Sequence, residues 1–290
     1  MMYSITGITG KVGGELARTL LAAGEPVRAV VRDAKKGQEW AAIGCEIALA
    51  KMEDASALED AFTGTTALFI LPPPEFDPEP GYPDTRAMIN SVVEAVRAAK
   101  PRRALCLSTI GADAKQDNLL SQRGVMEETL RELQIPLTIL RPAWFIDNAA
   151  WDVASARDTG LIHSFLQPTD KAFPMVAAKD VGRLAAKLIR EDWTGTRIVE
   201  LEGPGRMTPN DLAQSFTRVI GKPVRAVPVP RESWAALFRS QGMRNPEPRM
   251  RMLDGFNEGW IEFEGGGSKA IKGSTNAVDV IADLVANSQV

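Results

Sequence analysis

The sequence predicts an α/β fold: a doubly wound parallel sheet carrying a smaller C-terminal α/β lobe. Three observations predict it. Short apolar runs alternate with amphipathic segments through the first half of the 290 residues. Glycines at positions 7, 10 and 13 fall between the first apolar run and the first helical pattern. After Arg141 the regular alternation stops and aromatic residues crowd together.

The apolar runs read as strands over 3–6, 27–31, 46–49, 67–71, 104–108 and 137–141. Between them, Val12, Leu16, Leu20 and Ala23 recur at helical spacing, as do Ile89, Val92, Val93 and Val96, and then Met126, Leu130 and Leu133. Strands joined by helical crossovers must run parallel, and right-handed crossovers cover both faces of an open sheet. Gly24 stands where a left-handed residue would end the first helix, and Pro101 and Pro136 separate later helices from the strands that follow.

Beyond Arg141, Trp144, Phe145, Trp151, Phe165 and Phe173 lie in a stretch with little periodicity. A strand at 197–201, a helix at 209–220, a strand at 224–229 and helices at 232–241 and 278–285 follow. The Pro/Arg-rich stretch 245–251 and the glycine triplet 265–267 read as loops. The expected organisation is a dinucleotide-binding core over 1–150, with a further sheet element near 197–201. Residues 151–290 are expected to form a smaller substrate-binding lobe packed on the sheet, not an independent domain.

Composition narrows the function classes. With 44% hydrophobic and 24% charged residues, and no apolar run near the ~20 residues that cross a bilayer, a soluble protein without membrane contact is expected. A net charge of −3 offers no electrostatic case for nucleic acid. Cys45 and Cys106 sit in apolar strand-like stretches and the folded pattern begins at Met2, which leads to the expectation of reduced thiols, no signal peptide and a cytoplasmic location. His163 is the only histidine, no Cys/His pair has zinc spacing, and no metal is expected.

The run Thr6-Gly7-Ile8-Thr9-Gly10-Lys11-Val12-Gly13 carries the first chemical signal. A strand, a tight glycine turn and a helix N-terminus place free N–H groups against a pyrophosphate, the third glycine allowing the helix to pack closely. At the end of the second strand, an acidic side chain would accept from a ribose 2′-OH, whereas a guanidinium would pair with a 2′-phosphate. Here the strand ends Val31-Arg32-Asp33, with Lys35 and Lys36 following, so NADP(H) is expected over NAD(H).

At these positions the chain resembles the NmrA-like group of atypical short-chain dehydrogenases/reductases, members of the Rossmann superfamily. The resemblance covers nearly the whole length. It rests on the Gly-x-x-Gly-x-x-Gly turn, on Val27-Arg28-Ala29-Val30-Val31-Arg32, on Ala104-Leu105-Cys106-Leu107-Ser108-Thr109-Ile110-Gly111 and on Leu137-Thr138-Ile139-Leu140-Arg141-Pro142-Ala143-Trp144-Phe145. Asp180-Val181-Gly182, expected before an apolar helix, and Gly203-Pro204 add to it. The resemblance implies that Gly7, Ile8, Thr9, Gly10, Lys11, Val12 and Gly13 hold the pyrophosphate, with Arg32 and Lys36 at the 2′-phosphate. It further implies that Leu71 and Pro72 line the ribose, and that Thr109, Arg123, Pro142, Ala143, Trp144 and Phe145 surround the nicotinamide.

Three departures from the group bear on chemistry. The Tyr/Lys pair of ordinary short-chain reductases is missing, since Tyr3 and Tyr82 are the only tyrosines and neither falls in the relevant helix. Arg123 stands at the lysine position, and arginine holds its proton. Lys51 replaces an acidic contact to adenine.

Hydride transfer needs orientation more than side-chain chemistry, so the missing acid restricts the acceptor. A quinone, azo or related electrophile gives a far weaker base on reduction than a ketone does. Thr109 or water could then supply the proton, with Arg123 and Thr109 as the candidate catalytic groups and His163 a further possible donor. Trp144, Phe145, Asn148 and Trp151 are the candidate acceptor contacts, with core packing of the aromatics and helix capping by Asp147 and Asn148 as the structural alternatives. A second functional reading also suits the missing pair: an NADP(H)-sensing protein that acts through a regulatory partner without turnover. Sugar-nucleotide epimerisation, which needs the same tyrosine, is disfavoured.

Overall fold

The computed structural model describes residues 1–288. The chain opens with β1 (Tyr3–Ile5), α1 (Lys11–Ala22), β2 (Val27–Val31), α2 (Ala34–Ala42), β3 (Glu46–Leu49) and α3 (Ala55–Phe62). It continues through β4 (Ala67–Ile70), α4 (Pro83–Ala99), β5 (Arg103–Leu107), α5 (Ser121–Arg131) and β6 (Leu137–Pro142). These strands lie where the alternation places them. The two helices that the periodicity left unread, α2 and α3, are capped by the side chains of Asp33 and Asp54, which accept from the backbone N–H groups of Lys35 and Ala57. Both helices are shorter than three turns, so few apolar positions repeat.

The later half holds β7 (Trp144–Phe145), α6 (Val153–Thr159), β8 (Leu161–Ser164), β9 (Met175–Val176), α7 (Ala178–Leu188) and β10 (Thr196–Glu202). Then come α8 (Pro209–Ile220), β11 (Arg225–Pro228), α9 (Trp234–Ser240), α10 (Glu247–Glu258), β12 (Ile271–Lys272) and α11 (Ala277–Asn287). The expected loop at 245–251 is corrected here, because most of it is the first turn of α10. Pro246 caps that helix and Pro248 lies in its opening turn, where no intrahelical N–H is needed and proline is tolerated. Asp180-Val181-Gly182 lies inside α7 rather than before a helix. The triplet at 265–267 belongs to a short 3-10 segment, Glu264–Gly267, whose glycines have left-handed φ.

Among the described residues, the central sheet has eight strands in the order β12-β10-β6-β5-β4-β1-β2-β3, every pair parallel. From β1 the chain steps outward to β2 and β3, then returns across β1 to β4 and builds the other side. The order reverses at β1 and β4, and crevices in open α/β sheets form at the carboxyl ends of strands at such a reversal. Two small parallel pairs, β11 with β8 and β7 with β9, belong to the C-terminal lobe.

Burial follows the two-residue period of the strands. In β4, Ala67 and Phe69 face the layer of α1 and α7 with Leu16, Leu20 and Val181. Leu68 and Ile70 face α3, α4 and α5 with Leu58, Phe62, Ile89 and Leu130. A third cluster, including Ala156, Ile162, Phe216 and Ile281, closes the lobe. Cys45 and Cys106 are both free thiols and both buried. Among the described residues, no helix is long and apolar enough to cross a membrane.

Gly182 shows why the family-like motif in α7 has its composition. A Cβ there would lie 2.6 Å from the Glu15 Cβ and 2.8 Å from the Val12 carbonyl, so the glycine sets how closely α7 approaches α1. Asp180 accepts from the N–H groups of Ser274 and Thr275 and from the Thr275 hydroxyl, anchoring the chain between β12 and α11.

Candidate functional site

A cleft of about 1040 Å³ opens along the carboxyl ends of the strands. One half begins at the turn after β1. Gly7 has φ +64°, and its carbonyl accepts from the Gly10 N–H at 3.0 Å. A Cβ on Gly13 would stand 2.4 Å from the Gly7 carbonyl, so this third glycine lets α1 sit directly against the turn. Gly10 caps α1 without a side chain, and the N–H groups of the first helical turn have no intrahelical partner. The result is a donor-rich, sterically open helix start suited to a phosphate.

Arg32, Lys36 and Lys51 line the same half of the cleft, and all three are exposed. Asp33, the nearest carboxylate in sequence, is committed to capping α2 through the Lys35 N–H at 2.8 Å. One Asp33 oxygen thus serves the backbone, and Arg32, Lys36 and Lys51 face the cleft beside Asp33 and Glu53.

Leu71 and Pro72 form the wall after β4. The Thr6 hydroxyl accepts from the Leu71 N–H at 2.8 Å, which ties that wall to the glycine turn. Opposite, Arg123 donates a long 3.4 Å contact to the Pro72 carbonyl and also lines the cleft. Among the described residues no carboxylate pairs with it, and desolvation lowers its pKa to about 10. One turn further along α5, Glu127 is buried and fully engaged. It accepts from the Ser108 hydroxyl at 2.5 Å and from Arg141 at 2.9 and 2.6 Å. These bonds tie β6 and the end of β5, next to Thr109, onto α5.

The second half of the cleft is aromatic. Trp144 and Phe145 are half-buried in β7, and Trp144 meets Phe256 of α10 edge-on at 5.3 Å. Trp151, 68% exposed, stands at the mouth. Core packing does not account for its position. Asp147 bonds across the cleft floor: Oδ1 is 3.0 Å from Lys11 Nζ, and Oδ2 accepts from the Ala178 N–H at 2.8 Å. Asp152 and His163 also line this half, and burial raises the Asp152 carboxyl to about 6 against the lowering effect of a hydrogen bond from the His163 backbone.

Of the residues singled out from sequence, Gly7, Thr9, Gly10, Lys11, Val12, Arg32, Lys36, Leu71, Pro72, Thr109, Arg123, Pro142, Ala143, Trp144, Phe145, Asn148 and Trp151 all line this one cleft. Ile8 and Gly13 do not; Ile8 is fully buried behind the turn and Gly13 is packed against it. Neither tyrosine reaches the cleft lining. Tyr3 is buried in β1, and the Tyr82 hydroxyl donates to Asp117 at 2.5 Å with its pKa pushed up by burial and by that carboxylate. Asp152, Arg249, Met252, Leu253 and Phe256 line the cleft but carry no recognisable motif. The helical spacing of the last four was the available signal, and the two prolines obscured it.

The NmrA-like family model matches residues 3–256, most of the chain. The chain belongs to the NmrA-like family. Within it, an NAD(P)H azoreductase of Xenophilus azovorans is 24% identical over 259 residues, covering 89% of this chain and 85% of that protein. Quinone oxidoreductase 2 of Escherichia coli is 27% identical over 244 residues, covering 83% and 82%. The crystal structure of an NADPH-dependent quinone oxidoreductase from Escherichia coli, complexed with NADPH, superposes with a TM-score of 0.80 at 22% identity, covering 98% of this chain and 99% of that one. The NmrA-like chain therefore has a Rossmann-type central sheet, to which its C-terminal half contributes β10 and β12.

Proposed function

We propose that this NmrA-like chain is an NADPH-dependent oxidoreductase that reduces a flat electrophilic acceptor of the quinone or azo type, without a tyrosine acid. The observation that carries this reading is a single cleft joining an open, basic dinucleotide cradle to an aromatic wall at Trp144 and Phe145. The activities named for the azoreductase and quinone oxidoreductase relatives support it.

The cradle fits a dinucleotide. The uncapped first turn of α1 receives the pyrophosphate, Leu71 and Pro72 flank the ribose, and Arg32 with Lys36 takes the 2′-phosphate, which favours NADP(H) over NAD(H). Residues 1–150 supply most of this half, and residues 151–290 supply much of the acceptor half. A bound reduced nicotinamide would supply the hydride.

The chain's own groups do the rest. Pro142 to Phe145 hold the acceptor plane against the half-buried aromatics. The Arg123 guanidinium, desolvated and without a carboxylate, stabilises negative charge growing on the acceptor. The Thr109 hydroxyl or a water beside it delivers the proton. A hydroquinone oxygen or a hydrazo nitrogen is a weak enough base for this to suffice.

The test follows absorbance of the reduced nicotinamide while NADPH is mixed with a panel of quinones and azo dyes. Acceptor-dependent oxidation is expected, faster with NADPH than with NADH. Tight NADPH binding without oxidation by any acceptor would instead leave the chain a dinucleotide sensor.

A further inference from the structure

Arg249 is a desolvated cation in the acceptor half that the proposed reaction does not use. It lies on α10, and Arg249, Met252, Leu253 and Phe256 all line the cleft at the spacing of a single helical face. Its guanidinium lies 4.3 Å from the Phe238 ring centroid and 6.0 Å from that of Trp151. Phe238 is fully buried, so one face of this half-buried cation rests on the core. Among the described residues it has no ion pair, and burial alone pushes its pKa down. Asp152 and His163 line the same half without pairing with it.

The backbone that carries Arg249 is also held in place. The Pro248 carbonyl, one residue away, accepts from the Leu119 N–H at 2.9 Å, just before α5. Asp77, in the loop after β4, accepts from the N–H groups of Arg244 and Asn245 at 2.8 and 2.7 Å. These bonds fix the start of α10 against the cofactor-side loops. From there α10 runs about 10 Å along its axis to Phe256, which braces Trp144. Arg249 and Phe256 thus stand two helical turns apart on one face of α10, with Phe256 against Trp144.

The geometry points to Arg249 as an anion-recognition residue that selects flat acceptors bearing a carboxylate or sulfonate at the end away from the reducible bond. A desolvated cation without a counter-ion makes a strong site for an anion, and the planar guanidinium can bind an oxyanion through two N–H groups while its face stays on Phe238. This rests on the acceptor half of the cleft being the substrate site proposed above.

The test compares azobenzene with azobenzene-4-carboxylate for the wild type, R249A and R249K. Two readouts are taken: NADPH-dependent reduction, and equilibrium binding of each dye to the NADP⁺-saturated protein by calorimetry. For R249A, affinity and kcat/KM for the carboxylate are expected to fall by about tenfold or more, with azobenzene kept within about twofold and part of the loss restored in R249K. Equal effects on both dyes, or no loss with the carboxylate, would overturn the assignment. Because the binding readout needs no turnover, selective loss of carboxylate binding without reduction of either dye would sustain Arg249 while removing the reductase reading.

Discussion

Lys11 and Asp147 join the two halves of the cleft, with Nζ 3.0 Å from Oδ1 across the start of the glycine-turn helix and the aromatic segment. The other Asp147 oxygen takes the Ala178 N–H at the start of α7. One side chain thereby couples the phosphate cradle, the acceptor wall and the helix that packs on α1. Asp147→Ala removes both bonds at once. A loss of about 1 kcal/mol is expected in urea denaturation, chiefly from the uncapped helix, together with weaker NADPH binding. Unchanged values for both would show that the bridge holds nothing.

The proposed preference for NADPH rests on the basic end of β2. Arg32→Ala is expected to weaken NADPH binding about tenfold or more while leaving NADH within about twofold, as fluorescence titration would read directly. Equal effects on the two cofactors would place the 2′-phosphate elsewhere.

Gly13→Ala tests close packing. The added Cβ would stand 2.4 Å from the Gly7 carbonyl, a backbone atom that cannot swing aside. A loss of about 1–3 kcal/mol is expected from overpacking, along with impaired dinucleotide binding. Gly24→Ala is the comparison: its Cβ would meet nothing within 4 Å, so its cost comes only from left-handed φ, +76°.

Asp152 has its folded pKa raised to about 6 by burial, above its ordinary 3.8. The folded state thus binds the proton more tightly than the unfolded chain. Its contribution to stability is fully present below about pH 4 and is lost as pH rises through 6. Asp152→Asn removes that loss. Stabilisation by up to about 3 kcal/mol is expected at pH 8, vanishing at pH 4, and a pH-independent difference between the two proteins would contradict the assignment.

Arg123→Met separates function from stability. The guanidinium is desolvated and lacks a carboxylate, so an apolar side chain of similar length is expected to raise the melting temperature. Turnover should fall with kcat affected more than KM, because the charge acts on a developing anion. Arg123→Lys should restore part of the turnover. Loss of stability with unchanged kcat would assign Arg123 a purely structural role.

The elements most legible in the sequence are those whose apolar residues repeat locally. β4 alternates between two cores and α1 carries a stripe at helical spacing, so each announces its own shape. Legibility ends where local signals conflict. The prolines beside Arg249 punctuate the chain as a loop would, yet both occupy positions at a helix start that need no N–H. Asp33 looks in sequence like a rival to Arg32 for the ribose, and it is a helix cap.

By itself the sequence determined the parallel α/β architecture, the glycine turn and the absence of a tyrosine in the helix that should carry it. Those properties reside in short-range spacing and residue identity. Only the tertiary structure decided that Asp147 bridges to Lys11, that Asp152 is desolvated, and that Arg249 faces the cleft beside Phe238 without a counter-ion among the described residues. Charge and burial depend on what distant segments bring alongside, and no local pattern encodes which neighbour that will be.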